Sequence, residues 1–123
     1  MGATHFSGPV VSDLGFIGPT AQVAKAAGAD GALDVSTGLV VLTKATAGAY
    51  TLAAPASTDD GKVVTIVSGT AAAHTVTQTT PGFNGGGSAS DVGTFAAAVG
   101  NGLTLVAYGG KWLVANNTGV TLA

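Results

Sequence analysis

From Gly31 to the C-terminus, turn-forming clusters interrupt the chain so often that no helix of ordinary length fits between them. Thr37-Gly38, Ala47-Gly48, Asp59-Asp60-Gly61, Pro81-Gly82, Asn84 with Gly85 to Gly87, Gly109-Gly110 and Asn116-Asn117 divide it into short pieces. Those pieces are rich in Val, Ile, Leu and Thr, side chains that suit a pleated, half-buried surface. The spacing predicts strands near 31–35, 38–44, 49–54, 62–68, 73–79, 92–97, 102–108, 111–116 and 119–122. So many short strands point to an all-β fold, a small β-sandwich or a jelly-roll-like domain, with a small barrel as the remaining arrangement.

The clearest local unit is a hairpin, Leu103 to Tyr108, Gly109-Gly110, Lys111 to Ala115. A Gly-Gly pair supplies the positive φ angles that a two-residue hairpin turn requires. That turn sets Leu105 opposite Val114 and Ala107 opposite Trp112 on a core face. The other face then carries Tyr108 opposite Lys111 and Val106 opposite Leu113. In 62–68, Val63 and Val67 point one way and Val64 and Ile66 the other. In 38–44, Leu39 and Val41 oppose Val40 and Leu42. A strand with one wet face alternates apolar and polar residues, and these strands do not. A second layer of the chain or a neighbouring subunit must cover the spare face. In a chain of 123 residues the neighbouring subunit is favoured.

The core material argues the same way. Ala, Gly (20 residues) and Thr make up about half the chain, and only 6% is aromatic. Small side chains bury little area each, at roughly 25 cal/mol per Å², and ordering glycine costs more chain entropy than usual. A monomer of this make-up is marginal, and association that buries further apolar surface is the natural remedy. A homo-oligomer is therefore expected.

Residues 1–20 read differently. Gly2, Gly8, Pro9, Gly15, Gly18 and Pro19 exclude a helix, yet Phe6, Val10, Val11, Leu14, Phe16 and Ile17 are too many apolar groups for a solvated tail. Such a segment lies extended against its own domain, a sister subunit or a larger assembly. Phe6, Val10, Val11, Phe16 and Ile17 are the expected contacts with a sister subunit or a larger assembly. Residues 22–30 are the one candidate helix, Ala-rich but short. The expected organisation is an extended N-terminal arm over 1–30, including that short helix, and a β domain over 31–123.

Only 8% of the residues are charged, four Lys and six Asp, with net charge −2 and neither Arg nor Glu. Lys25, Lys44, Lys62 and Lys111 lie far apart in sequence, so no nucleic-acid partner is expected. The absence of cysteine removes thiol chemistry and disulfides. No apolar run approaches the ~20 residues of a membrane span, and no signal peptide is visible, so no membrane partner and an unprocessed intracellular product are expected. Phe6 stands where an N-myristoylation motif needs Ser or Thr.

The polar residues form no recognisable catalytic pattern. His5 and His74 are the only histidines, lack metal-ligand spacing, and read as structural or solvated. No serine sits in a Gly-x-Ser-x-Gly elbow. Asp59-Asp60-Gly61 lacks the alternating carboxylates of a cation loop and reads as a turn, as does Asp91. Asn84 to Gly87 has neither the lysine nor the following helix of a phosphate cradle. Neither an enzyme nor a cofactor or metal is expected.

Two stretches resemble known proteins. Thr4-His5-Phe6-Ser7-Gly8-Pro9-Val10-Val11-Ser12, followed by Gly15-Phe16-Ile17-Gly18, resembles the N-terminal segment of small virion proteins of tailed bacteriophages. Gly102 to Val114, running on through Asn117-Thr118-Gly119-Val120-Thr121-Leu122, resembles the C-terminal end of the same group. Together they cover about a third of the chain. The resemblance implies a capsid decoration (cement) protein: a trimer on the outside of the head at local threefold positions, bound to the major capsid protein and stapling neighbouring capsomers. The virion exterior is then the location, after assembly in the host cytoplasm. Alternatives are a head-fibre or tail-fibre module binding host surface glycans, and a carbohydrate-binding module with Tyr50, Tyr108 and Trp112 as candidate platform residues.

Overall fold

A computed structural model of the chain describes residues 23–123. Ten strands follow in order: β1 (Lys25–Ala27), β2 (Gly31–Ala32), β3 (Leu39–Leu42), β4 (Ala49–Thr51), β5 (Val63–Ser68), β6 (Thr75–Thr77), β7 (Val92–Phe95), β8 (Gly102–Tyr108), β9 (Lys111–Thr118) and β10 (Val120–Leu122). They form two five-stranded sheets, a first of order β1-β3-β5-β8-β9 and a second of order β10-β7-β6-β4-β2. The β-sandwich anticipated from the sequence is formed, and each of the nine expected segments contains a strand.

The winding is mixed rather than the all-antiparallel order of a jelly roll. Up to β6 the chain alternates between the sheets, so β1, β3 and β5 run parallel in the first and β2, β4 and β6 parallel in the second. Leu39 pairs with Thr65 in one sheet and Ala49 with Thr75 in the other, so 39–51 and 65–77 are successive turns of one coil. From β7 onward the pairing turns antiparallel: β7 lies beside β6, β8 beside β5, β9 beside β8 and β10 beside β7.

Alternation along the strands builds the core. Val40 and Leu42, Val64 and Ile66, and Leu103, Leu105 and Ala107 point inward from the first sheet and are all but fully buried. Tyr50, Val76, Phe95 and Val120 meet them from the second. Trp112 is buried among them and its indole N–H donates to the Ala53 carbonyl at 2.9 Å. The hairpin has the expected register, Leu105 opposite Val114, Val106 opposite Leu113, Ala107 opposite Trp112 and Tyr108 opposite Lys111. Gly109 and Gly110 take φ of 60° and 75°, as that turn demands.

One expectation fails here. The segment 22–30 is not a helix where the structure describes it: Lys25–Ala27 is β1, and a β2 strand follows at Gly31–Ala32. Alanine's helix preference is worth only tenths of a kcal/mol per residue, too little to nucleate so short a helix. The strand instead gives its Ala27 carbonyl to both the Thr43 N–H (2.9 Å) and the Tyr50 hydroxyl (2.8 Å). Lys25 also reaches Asp34 at 3.6 Å. Among the described residues the paired strands therefore start at Lys25.

Candidate interaction surface

Among the described residues no second layer covers the outward residues of the first sheet, which form a broad face. Cross-strand pairing arranges them in rows: Val63, Val106 and Leu113; then Leu39, Thr65, Thr104 and Asn116; then Ala26, Val41, Val67, Gly102 and Thr118. Leu39, Val41, Val67, Val106 and Leu113 are each half-buried, while Val63 is 50% exposed. Between the second and third rows lies a shallow cleft of about 150 Å³, bordered by Thr65, Val67, Gly102, Thr104, Asn116 and Thr118. Gly102 keeps its floor bare, since a Cβ there would come within 2.5 Å of the Ile66 carbonyl oxygen.

One end of this face forms an apolar rim. β5 starts there and β8 ends there, which brings Val63 and Tyr108 to the same margin. Tyr108 is 65% exposed.

The outward face of the second sheet is built differently. Ala49, Thr75, Thr94 and Thr121 make one row, and Thr51, Thr77 and Val92 the next. The same coil thus turns Val41 and Val67 outward on one side and Thr51 and Thr77 on the other. Threonine on a wet strand keeps β-branching and offers a hydroxyl to water, the usual compromise for an exposed strand.

Charge is kept off the middle of both faces. Among the described residues Lys25, Asp30, Asp34 and Lys44 gather on the β1–β2 side, Asp59, Asp60 and Lys62 in the loop before β5, and Asp91 before β7. Lys111 alone touches the first face, at its corner beside Tyr108. Lys44 pairs with Asp30 at 2.8 Å, and this bond, with the Ala49 N–H on the same carboxylate, lowers the Asp30 pKa. Hydrogen bonds from Ser36 lower that of Asp34.

The polar interior centres on His74, which is fully buried. Its Nδ1 accepts the Gly48 N–H at 3.0 Å, so that nitrogen carries no proton. Nε2 then holds the hydrogen and donates to Thr70 Oγ1 at 2.8 Å, while Thr70 donates its own proton to the Lys44 carbonyl at 2.6 Å. Burial, and then the nearby Lys44 charge, push the His74 pKa below the ordinary histidine value. The Thr70–His74 pair is wired in the opposite sense to a nucleophile and its general base, because the imidazole gives a proton to the hydroxyl and takes none from it.

No protein-family model, curated protein or solved structure matches the chain. The fold and the surface therefore rest on their own geometry. Phe6, Val10, Val11, Phe16 and Ile17, the arm contacts expected from the sequence, lie outside the described residues, as does His5. Tyr50 and Trp112 are buried, which leaves Tyr108 as the one exposed residue of the three aromatic platform candidates. Asp59 and Asp60 are turn residues: Asp59 accepts the Ala56 N–H at 2.9 Å and Asp60 the Gly109 N–H at 2.9 Å. Among the described residues no three His, Asp or Glu side chains cluster as metal ligands would, and no helix is long and apolar enough to cross a membrane.

Sequence reasoning missed three features of this architecture. Phe83, inside the Gly-rich loop, is fully buried, and Asn84 beside it accepts the Val114 N–H at 2.8 Å, so that loop is anchored to β9. The Gly48–His74 bond across the coil was missed, as was the bare floor at Gly102. An aromatic residue set among glycines was the available signal for the first.

Proposed function

We propose that the chain is a structural virion protein that decorates and stabilises the outer surface of a tailed-phage capsid as a trimer bound to the major capsid protein. One observation carries this reading: the outward face of the first sheet bears Leu39, Val41, Val63, Val67, Val106 and Leu113, with Lys111 at its corner. Such a surface suits broad, salt-tolerant contact between proteins and offers no arrangement for chemistry. The resemblance of Thr4 to Ser12 and of Gly102 to Leu122 to small phage virion proteins supports it independently.

The rival, a head-fibre or tail-fibre module for host glycans, draws on the hydroxyl- and amide-lined cleft at Thr104, Asn116 and Thr118. Against it, the cleft has no aromatic floor on which a sugar ring would stack. The test is co-sedimentation of the purified chain with undecorated heads at low and at high salt. Binding at both is expected. A chain that stays in the supernatant, or binds only at low salt, overturns the proposal.

A further inference from the structure

We infer that the His74 cluster is an acid-sensitive clasp: protonation of its imidazole frees the 43–48 turn and the β1–β2 segment resting on it, while the rest of the sandwich stays folded. The placement of the polar contacts carries the inference. The connections 28–30, 43–48 and 69–74, each running from the first sheet to the second, lie side by side at one end of the coil. Each is tied to the next. The Ala27 carbonyl accepts the Thr43 N–H at 2.9 Å and the Tyr50 hydroxyl at 2.8 Å. The Asp30 carboxylate accepts Lys44 Nζ at 2.8 Å and the Ala49 N–H at 3.0 Å. The middle turn is held in its place by the Gly48 N–H on His74 Nδ1 and the Thr70 hydroxyl on the Lys44 carbonyl. The edge segment thus rests on a turn that an imidazole holds.

Mild acid acts on one of these ties. A protonated imidazole carries hydrogens on both ring nitrogens, so Nδ1 would meet the Gly48 N–H donor to donor. Two buried donors would lack partners, and moving the turn away lets water reach both. The surroundings favour that outcome. Lys44 adds its positive charge, and among the described residues no carboxylate pairs with the ring. Tyr50, whose ring centroid lies 5.8 Å away, stays un-ionised because burial raises its pKa from 10.0. Asp30 is occupied by Lys44 and Ala49, and its ties change only below the ordinary carboxylate value of 3.8.

Which side gives way follows from what holds each. The backbone of His74 belongs to the body of the sandwich, where its carbonyl accepts the Phe95 N–H at 2.8 Å. β5 and β6 are flanked by β8 and β7, and β3 and β4 keep Val40, Leu42, Tyr50 and Leu52 in the core. Among the described residues β1 and β2 have a neighbour on one side only, and Leu33 is the one buried core residue of 25–34. That segment is the part the domain can release with the least loss of buried area.

Amide hydrogen exchange of the full-length chain, followed by NMR in a His5→Ala background between pH 7.5 and 5, tests the clasp. The Leu33, Gly48 and Ala49 amides, bonded to Thr51, His74 and Asp30, should lose protection below pH 6.5. The loss should approach about tenfold per pH unit, the limit for one proton. Amides within β7 and β8 should keep their protection, and Trp112 should keep the emission of a buried indole. His74→Gln retains an acceptor and a donor but binds no proton, so it should abolish the pH dependence. Where that variant fails to fold, the ring resonances of His74 in the His5→Ala chain decide, and they should titrate together with the loss at Leu33. Protection lost evenly across β7 and β8 would mean global unfolding and overturn the inference. Unchanged protection at Leu33 down to pH 5, or a pH response that survives His74→Gln, would overturn it as well.

Discussion

The Gly48 N–H donates to the buried Nδ1 of His74 at 3.0 Å, joining two successive turns of the coil 26 residues apart. Thr70 ties the same two turns again through the Lys44 carbonyl, at the same separation. Gly48 has no side chain because the Tyr50 ring occupies its place: a Cβ there would lie within 2.6 Å of the ring. The coil is thus pinned by a polar cluster that works only with a neutral imidazole.

Stability should accordingly fall on mild acidification. The folded-state pKa of His74 is lowered from the ordinary value of 6.5, so below about pH 6.5 the unfolded chain binds the proton more readily. The contribution of His74 is whole above pH 6.5 and declines as pH drops towards the folded-state value. Asp30 and Asp34, whose pKa values are lowered from 3.8, act in a separate window, losing their contribution only as pH falls through the carboxylate range. Urea unfolding in a His5→Ala background should show the midpoint dropping between pH 7.5 and 5. In His74→Ala the unfolding free energy should be lower by about 1–3 kcal/mol, the cost of an unpaired buried N–H, and the midpoint flat over that span. An equally steep slope without His74 would refute the assignment.

The hairpin turn offers a purely conformational test. Gly109 and Gly110 have open space where a Cβ would go, so only their positive φ resists a side chain. Replacing either with Val should cost about 1–2 kcal/mol, read as a lower melting temperature. Asn at Gly109 should recover much of the loss, since Asn tolerates this region. Melting unchanged by both Val substitutions would mean the turn is drawn wrongly.

Gly102→Ala tests a close approach instead. The added methyl would meet the Ile66 carbonyl oxygen, part of the β5 backbone, which cannot swing aside as a side chain can. A loss of about 1–3 kcal/mol is expected, the usual cost of overpacking. Gly100→Ala nearby is strained by φ of 92° but meets nothing, so comparing the two separates steric from torsional cost.

Much of the sandwich was legible because inward and outward residues alternate along Leu39–Leu42, Val63–Ser68 and Gly102–Tyr108, and because Gly109-Gly110 fixes its own register. The parallel coil was not, since nothing local distinguishes a strand that pairs with its predecessor from one that crosses to the other sheet. Lys25–Ala27 was misread because an alanine run favours a helix locally, whereas the pairing with β3 and the Tyr50 hydroxyl comes from residues far along the chain. The candidate surface was legible in part: the doubled apolar faces were visible in Val63, Val67, Val106 and Leu113. That the second sheet's outward face is Thr-rich by contrast emerged only from the registers.

The last prediction concerns residues 1–18. Among the described residues backbone pairing starts at Lys25, so deleting 1–18 should leave the melting transition of the β domain in place. The same deletion should abolish attachment to heads. Phe6, Val10, Phe16 and Ile17 would each contribute roughly 1.5–3 kcal/mol if buried, before the cost of ordering the segment. Repeated across a trimer, such modest contacts add by avidity to stable binding. Only Asp13 carries a formal charge in this stretch, so attachment should be insensitive to salt, whereas exposed ion pairs are screened within about 10 Å at 0.1 M. Co-sedimentation of full-length and truncated chains with undecorated heads reads both points. Equal binding by the truncated chain would move the capsid contact to the β domain, and loss of full-length binding at high salt would refute the apolar mechanism.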